Sequence, residues 1–163
     1  MGVNRGKVFE DDIREALLRI PDMSVDRMYD QMSGYKGSCN ICDFIAYHCP
    51  HLFYFECKSC YGNTLSIYSN DPKRKYGLIS NAQWDGLLEK SEITGVTAGY
   101  FIWFIDHDMT LFVDAKTMKN IRDAGNKSFN INHLQHYNGN FYIVPGDKKR
   151  VRFDYDLTDF IGG

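Results

Sequence analysis

The sequence predicts an α/β protein of the α+β kind, a mixed central β-sheet flanked by helices. Three observations carry this. Helical and strand periodicities alternate along the chain as helix, hairpin, helix, hairpin, helix and hairpin. Apolar residues make up 44% of the chain and aromatics 15%, enough for a folded interior rather than a disordered chain. At 163 residues, with no internal repeat, low-complexity tract or linker, one domain spanning 1–163 is expected.

Residues 8–20 read as the first helix, because Phe9, Ile13, Ala16, Leu17 and Ile20 recur at helical spacing and Pro21 stops it. Residues 22–38 are polar, carry Met23, Met28 and Met32, and fit neither period. Residues 43–47 and 52–58 form a hairpin across His48, Cys49, Pro50 and His51. Residues 61–79 are turn-rich. Residues 81–90 form a helix with Ser80 or Asn81 as N-cap and Trp84, Leu87 and Leu88 inward. A second hairpin pairs 99–105 with 110–113, and Asp114 caps a helix over 115–122. A third hairpin pairs 141–144 with 151–155 around PGDKK, and a helical turn over 157–161 closes the chain. Trp84 and Trp103 lie in apolar patterns and belong to the core rather than to base-stacking platforms.

Charge narrows the partners. The net charge is −2, from 19 Lys and Arg against 21 Asp and Glu, which excludes binding nucleic acid by bulk charge. The bases are clustered instead: Arg5 and Lys7; Lys73, Arg74 and Lys75; Lys148, Lys149, Arg150 and Arg152. No apolar run is long enough to span a bilayer, and MGVNRGKVFEDD has no apolar leader core, so no membrane partner is expected. Five cysteines, an odd number, fit reduced thiols in a cytoplasmic setting.

The first hairpin holds the chemistry. If Tyr47 and Leu52 form the last pair before the loop, positions summing to 99 face each other, and Asp43 lies opposite Glu56. Directly opposed Cβ atoms stand ~5 Å apart. Alternation places Glu56 and Lys58 on one face and Phe53, Phe55 and Cys57 on the other. Two carboxylates so close repel unless neutralised. A divalent cation that prefers oxygen ligands would neutralise them, with Lys58 placed to orient a water. An ordinary cross-strand ion pair on the surface is the other reading of the same residues. Glu10, flanking the apolar stripe of the first helix, offers a third carboxylate.

Asp43 followed by Glu56–Cys57–Lys58 resembles the D…(D/E)xK pattern of the PD-(D/E)xK nuclease superfamily. NRGKVFE at residues 4–10 narrows the likeness, since it looks like the opening of RecU-type Holliday junction resolvases. Gln83 on the following helix and GYFIWFIDHDMTLFVDA at 99–115 continue it in order over most of the chain. The resemblance implies a restriction-endonuclease-like fold, a homodimer and Mg²⁺-dependent hydrolysis of phosphodiesters at four-way DNA junctions, with Mn²⁺ able to substitute. It implies Glu10, Asp43 and Glu56 as metal ligands, joined by the Cys57 carbonyl. Lys58 would position the attacking water, Gln83 would support the site or contact the scissile phosphate, and Arg5 and Lys7 would touch DNA. The bases Lys73, Arg74 and Lys75 are further candidates for phosphate contacts. Three departures stand out: Ser59 replaces the usual Thr, Ala82 a frequent His, and the interval between the first helix and Asp43 is short. Other DNA nucleases of the superfamily, of repair or restriction type, share the core motif.

A competing reading uses the sulfurs. Cys39–x2–Cys42 and Cys57–x2–Cys60 have nearly the spacing of a zinc ribbon, which would make the chain a non-catalytic binding module. A zinc knuckle would bend residues 57–60 and take Lys58 out of its strand. As a strand residue, Cys57 is instead a small buried hydrophobe.

Overall fold

The computed structural model describes residues 2–28, 40–67 and 79–163. The first helix, α1, spans Arg5–Leu18 and begins three residues before the apolar periodicity. The reason is local: Asn4 caps it, accepting a hydrogen bond from the Lys7 backbone N–H at 3.1 Å. A short strand, β1 (Ser24–Arg27), follows where the sequence showed no clear period. The first hairpin comprises β2 (Phe44–His48) and β3 (His51–Cys60).

The expected register holds: Tyr47 pairs with Leu52 and Phe44 with Phe55. The loop is tighter than expected, since His48 and His51 also pair. The third strand runs on through Cys60, so Lys58 is a strand residue. Next come β4 (Thr64–Ser66), α2 (Asn81–Ser91) and β5 (Val96–Phe104). The chain continues through β6 (Met109–Asp114), α3 (Ala115–Asp123), β7 (Ser128–Asn130) and β8 (Phe141–Ile143). It ends in β9 (Gly146–Lys149), β10 (Arg152–Tyr155) and α4 (Thr158–Gly162).

Six strands make the central sheet in the order β1-β2-β3-β5-β6-β8. Neighbours are antiparallel except β3 and β5, which are parallel because the chain crosses over through α2 between them. The sheet is therefore mixed, with helices on both faces, as the fold class required. Phe53, Phe55, Cys57, Phe101 and Trp103 join α1, α4 and the β9–β10 ribbon in one buried cluster. Tyr100, Ile102 and Phe104 join α2, α3 and the β4–β7 ribbon in the other. Residues 100–104 are thus buried on both faces, which explains their unbroken apolar run. Trp84 and Trp103 are core residues, as expected. At Gly99, a Cβ would lie 2.4 Å from the Val113 carbonyl oxygen, so only glycine lets β5 and β6 approach so closely.

The third hairpin differs from expectation. Phe141–Ile143 instead extends the central sheet beside β6, and the polar stretch read as a loop becomes β9. That strand pairs with β10 in a separate ribbon that turns at Arg150 and Val151. Alternation could not reveal β9, because all four of its residues are exposed. Among the described residues no helix is long and apolar enough to cross a membrane.

Candidate active site

The candidate site lies where β2 gives out. Asp43 immediately precedes that strand, and its backbone is gripped on both sides. Its N–H donates to the Phe55 carbonyl at 3.0 Å, and its carbonyl accepts from the Met28 N–H at 2.7 Å. One step beyond the last β2–β3 pair, the Asp43 Oδ2 accepts from the Cys57 N–H at 2.8 Å. A side chain thus satisfies the next edge donor of β3, while Cys57 to Cys60 keep β5 on their other side.

Alternation puts Glu56 and Lys58 on the α2 face of β3, as expected. Glu56 is only 3% exposed, an uncommon place for a carboxyl. Its Oε1 accepts from Gln83 Nε2 at 2.7 Å and lies 3.3 Å from Lys58 Nζ. Its Oε2 is buried and, among the described residues, receives no hydrogen bond. Burial, reinforced by the charge of Asp43 and opposed by Lys58, pushes the Glu56 carboxyl up to about 8. Burial also raises Asp43, against the Cys57 N–H and the Lys58 charge, which pull it down.

Gln83 is fixed by the start of α2. Ser80 caps that helix by accepting from the Gln83 N–H at 3.2 Å, and Gln83 Oε1 accepts from the Ser80 N–H at 3.1 Å. This reciprocal capping box commits the amide oxygen to the backbone and leaves the amide NH₂ for Glu56.

Glu10, on α1, lies near enough for the Asp43 charge to act on it. Burial raises it to about 7, Asp43 adds to the rise, and Arg27 opposes it. Arg27, at the end of β1, pairs with Glu10 at 2.7 Å and with Asp11 at 3.3 Å. This residue was not singled out from the sequence. The signal that could have found it is the Glu10–Asp11 pair beside an apolar stripe, which needs a cation. Among the described residues no group of three or more His, Cys, Asp or Glu side chains forms a ready metal cage. Glu10, the third carboxylate expected, is instead paired with Arg27.

Asp43 and Glu56 nonetheless suit a hard divalent cation: both are acceptors, both are raised by burial, and one buried oxygen lacks a donor. The other expected residues are partly gathered. Arg5 stacks over Trp103, with its guanidinium carbon 6.0 Å from the ring centroid, and Trp103 pairs with Ser59 in the sheet. Lys7 is exposed on the same first turn of α1. Lys73, Arg74 and Lys75 lie outside the described residues, as does Cys39.

The zinc framework fares differently. Cys57 and Cys60 belong to one extended strand and pack into opposite clusters, while Cys42 lies with Cys60 and donates to the Phe44 carbonyl at 3.3 Å. Three thiols divided between two faces of a sheet cannot converge on one tetrahedral ion. Burial raises the Cys42 thiol to about 12 and Cys57 upward as well, so both are inert core thiols. No protein-family model matches the chain, and no curated protein is significantly similar to it.

Proposed function

We propose that this chain is a Mg²⁺-dependent endonuclease of the PD-(D/E)xK kind, a Holliday junction resolvase that hydrolyses phosphodiesters at four-way DNA junctions during recombination and repair. The observation that carries the reading is the buried Glu56, flanked by Asp43, Lys58 and Gln83, with one oxygen left without a donor. Two carboxyls set side by side, one oxygen of which has no donor among the described residues, are reconciled by a bound cation or by a shared proton, and the cation is the reading that gives Lys58 and Gln83 a use.

Asp43, Glu56 and the Cys57 carbonyl would hold the ion, with Glu10 joining once it leaves Arg27. When bound, the ion supplies Lewis-acid activation of water and neutralises charge on the phosphate. The chain's own groups do the rest. Lys58, on the Glu56 side of β3, orients the attacking water and offsets the negative charge that develops on the phosphoryl oxygens. Gln83, unable to turn its amide, holds the Glu56 carboxylate in one rotamer. Paired nicks across a junction call for two active sites, so a homodimer is part of the proposal.

The test compares a four-way junction with linear duplex of the same sequence, in Mg²⁺, in Mn²⁺ and in EDTA. Paired, metal-dependent cuts in the junction are expected. Equal cutting of both substrates would favour a repair- or restriction-type nuclease of the same superfamily, and no metal-dependent cutting of either would overturn the reading.

A further inference from the structure

We infer that the β9–β10 ribbon is a second DNA-contacting element, its tip carrying Lys149 and Arg150 onto the phosphate backbone beside the candidate active site. The inference rests on the nuclease reading above, which assigned DNA contacts only to the N-terminal arm and to bases outside the described residues.

Four observations support it. The ribbon is held along its length, which fixes where its turn presents Lys149 and Arg150. Arg152 pairs with the buried Asp12 at 2.8 Å, the Phe153 N–H donates to the same carboxylate at 2.9 Å, and Arg19 donates to the Tyr155 carbonyl at 2.8 Å. From Tyr155 to Arg152 the ribbon therefore runs along α1 from Arg19 back to Asp12, so its turn lies at the end nearer the N-terminal half of that helix.

The tip also borders the right end of the sheet. Lys148 pairs with Asp108 at 2.8 Å in the turn that follows β5, and Phe104 of β5 pairs with Cys60, two residues past Lys58. Ligands of open α/β sheets bind at this end, beyond the carboxyl ends of parallel strands.

Its charge is unneutralised. Among the described residues, Lys149 and Arg150 have no carboxylate within ion-pair distance, whereas Lys148 and Arg152 do. Solvated charge on a small acidic protein is ordinarily interspersed with its opposite; here two adjacent cations are left over at a projecting turn.

Last, the backbone is strained there. Arg150 has φ of 54° at the first central position of a two-residue hairpin turn, where glycine is the usual occupant. A long cationic side chain kept at a position that costs conformational energy points to a use for that side chain.

The strain supplies the test. Arg150→Gly relieves the backbone, so its Tm should equal or exceed that of the wild type, while a structural role for the arginine would lower it. Affinity for a four-way junction and for duplex is measured in EDTA at several salt concentrations, for wild type, Arg150→Gly and the double variant Lys149→Ala/Arg150→Gly. The double variant should bind roughly tenfold more weakly near physiological salt, and the slope of log K against log salt should shrink by about 2. Unchanged affinity and slope in a folded double variant would overturn the ribbon's role alone. Absence of DNA binding by the wild type would overturn both this inference and the nuclease reading.

Discussion

The two faces of β3 carry opposite solutions to burial. Toward α1, Phe53, Phe55 and Cys57 enter a dry aromatic cluster in which Phe55 lies 4.9 Å from Phe101 and 5.4 Å from Phe53, ring to ring. Toward α2, Glu56 and Lys58 pair with each other, Gln83 donates to the same Glu56 oxygen, and the second Glu56 oxygen has no donor among the described residues. One strand of alternating residues therefore supplies fold stability on one side and latent charge on the other. The first face lowers the free energy of the folded state; the second raises it, and on the proposed function it does so in exchange for a cation site.

The sharpest way to separate the faces is Glu56→Gln. Cleavage should fall by at least ~10³-fold, about 4 kcal/mol of transition-state stabilisation. The same change should raise stability at pH 8.5, because burial holds the Glu56 carboxyl at about 8 and a neutral amide avoids the cost of its ionised form. Parallel cleavage assays and denaturant melts would show this, and a less stable variant would mean the carboxylate is structural. Phe55→Ala attacks the opposite face and should destabilise by about 3–5 kcal/mol, the cost of a cavity in a packed core. Urea melts read it, with residual activity per folded molecule unchanged.

The pH profile sharpens the contrast further. Glu56 and Glu10 bind protons more tightly folded than unfolded, at about 8 and about 7 against 4.5. Their favourable contribution is complete below pH ~4.5 and disappears as pH rises through 7 and 8, so stability should decline across that window. Millimolar Mg²⁺ should restore much of it at pH 8.5, and thermal melts with and without the ion check the direction. Smaller again is Gln83→Ala, which removes half of the capping box and one Glu56 contact. About 1 kcal/mol of stability and roughly tenfold in cleavage are expected. Smallest is Cys60→Ser, with stability within ~1 kcal/mol of wild type and no change in zinc content by elemental analysis.

Much of this contrast could be read from the chain. Strand alternation and one assumed turn pair placed Asp43, Glu56 and Lys58, because register in a half-buried hairpin is set by its apolar side. The same logic failed for β9, whose residues are all exposed and leave no period to find. It also failed for Arg27, because its importance comes from meeting Glu10 and Asp11 across 17 and 16 positions, which no local pattern records. The zinc spacing offers little for a related reason: cysteines three apart share a site only if the chain turns between them, and between Cys57 and Cys60 it stays extended.

The box at the start of α2 bears on what this position can accept. A helix beginning with Ser80 is served equally well by glutamine or glutamate three residues on, since either offers an oxygen to the Ser80 N–H. The crevice is less tolerant. A Gln83→Glu exchange would leave the helix start intact yet bring a third acid against Glu56, where the amide now donates at 2.7 Å. The local fold thus accepts two residue types and the neighbouring carboxylate accepts one, so the identity of residue 83 is decided across the sheet surface rather than within its own helix.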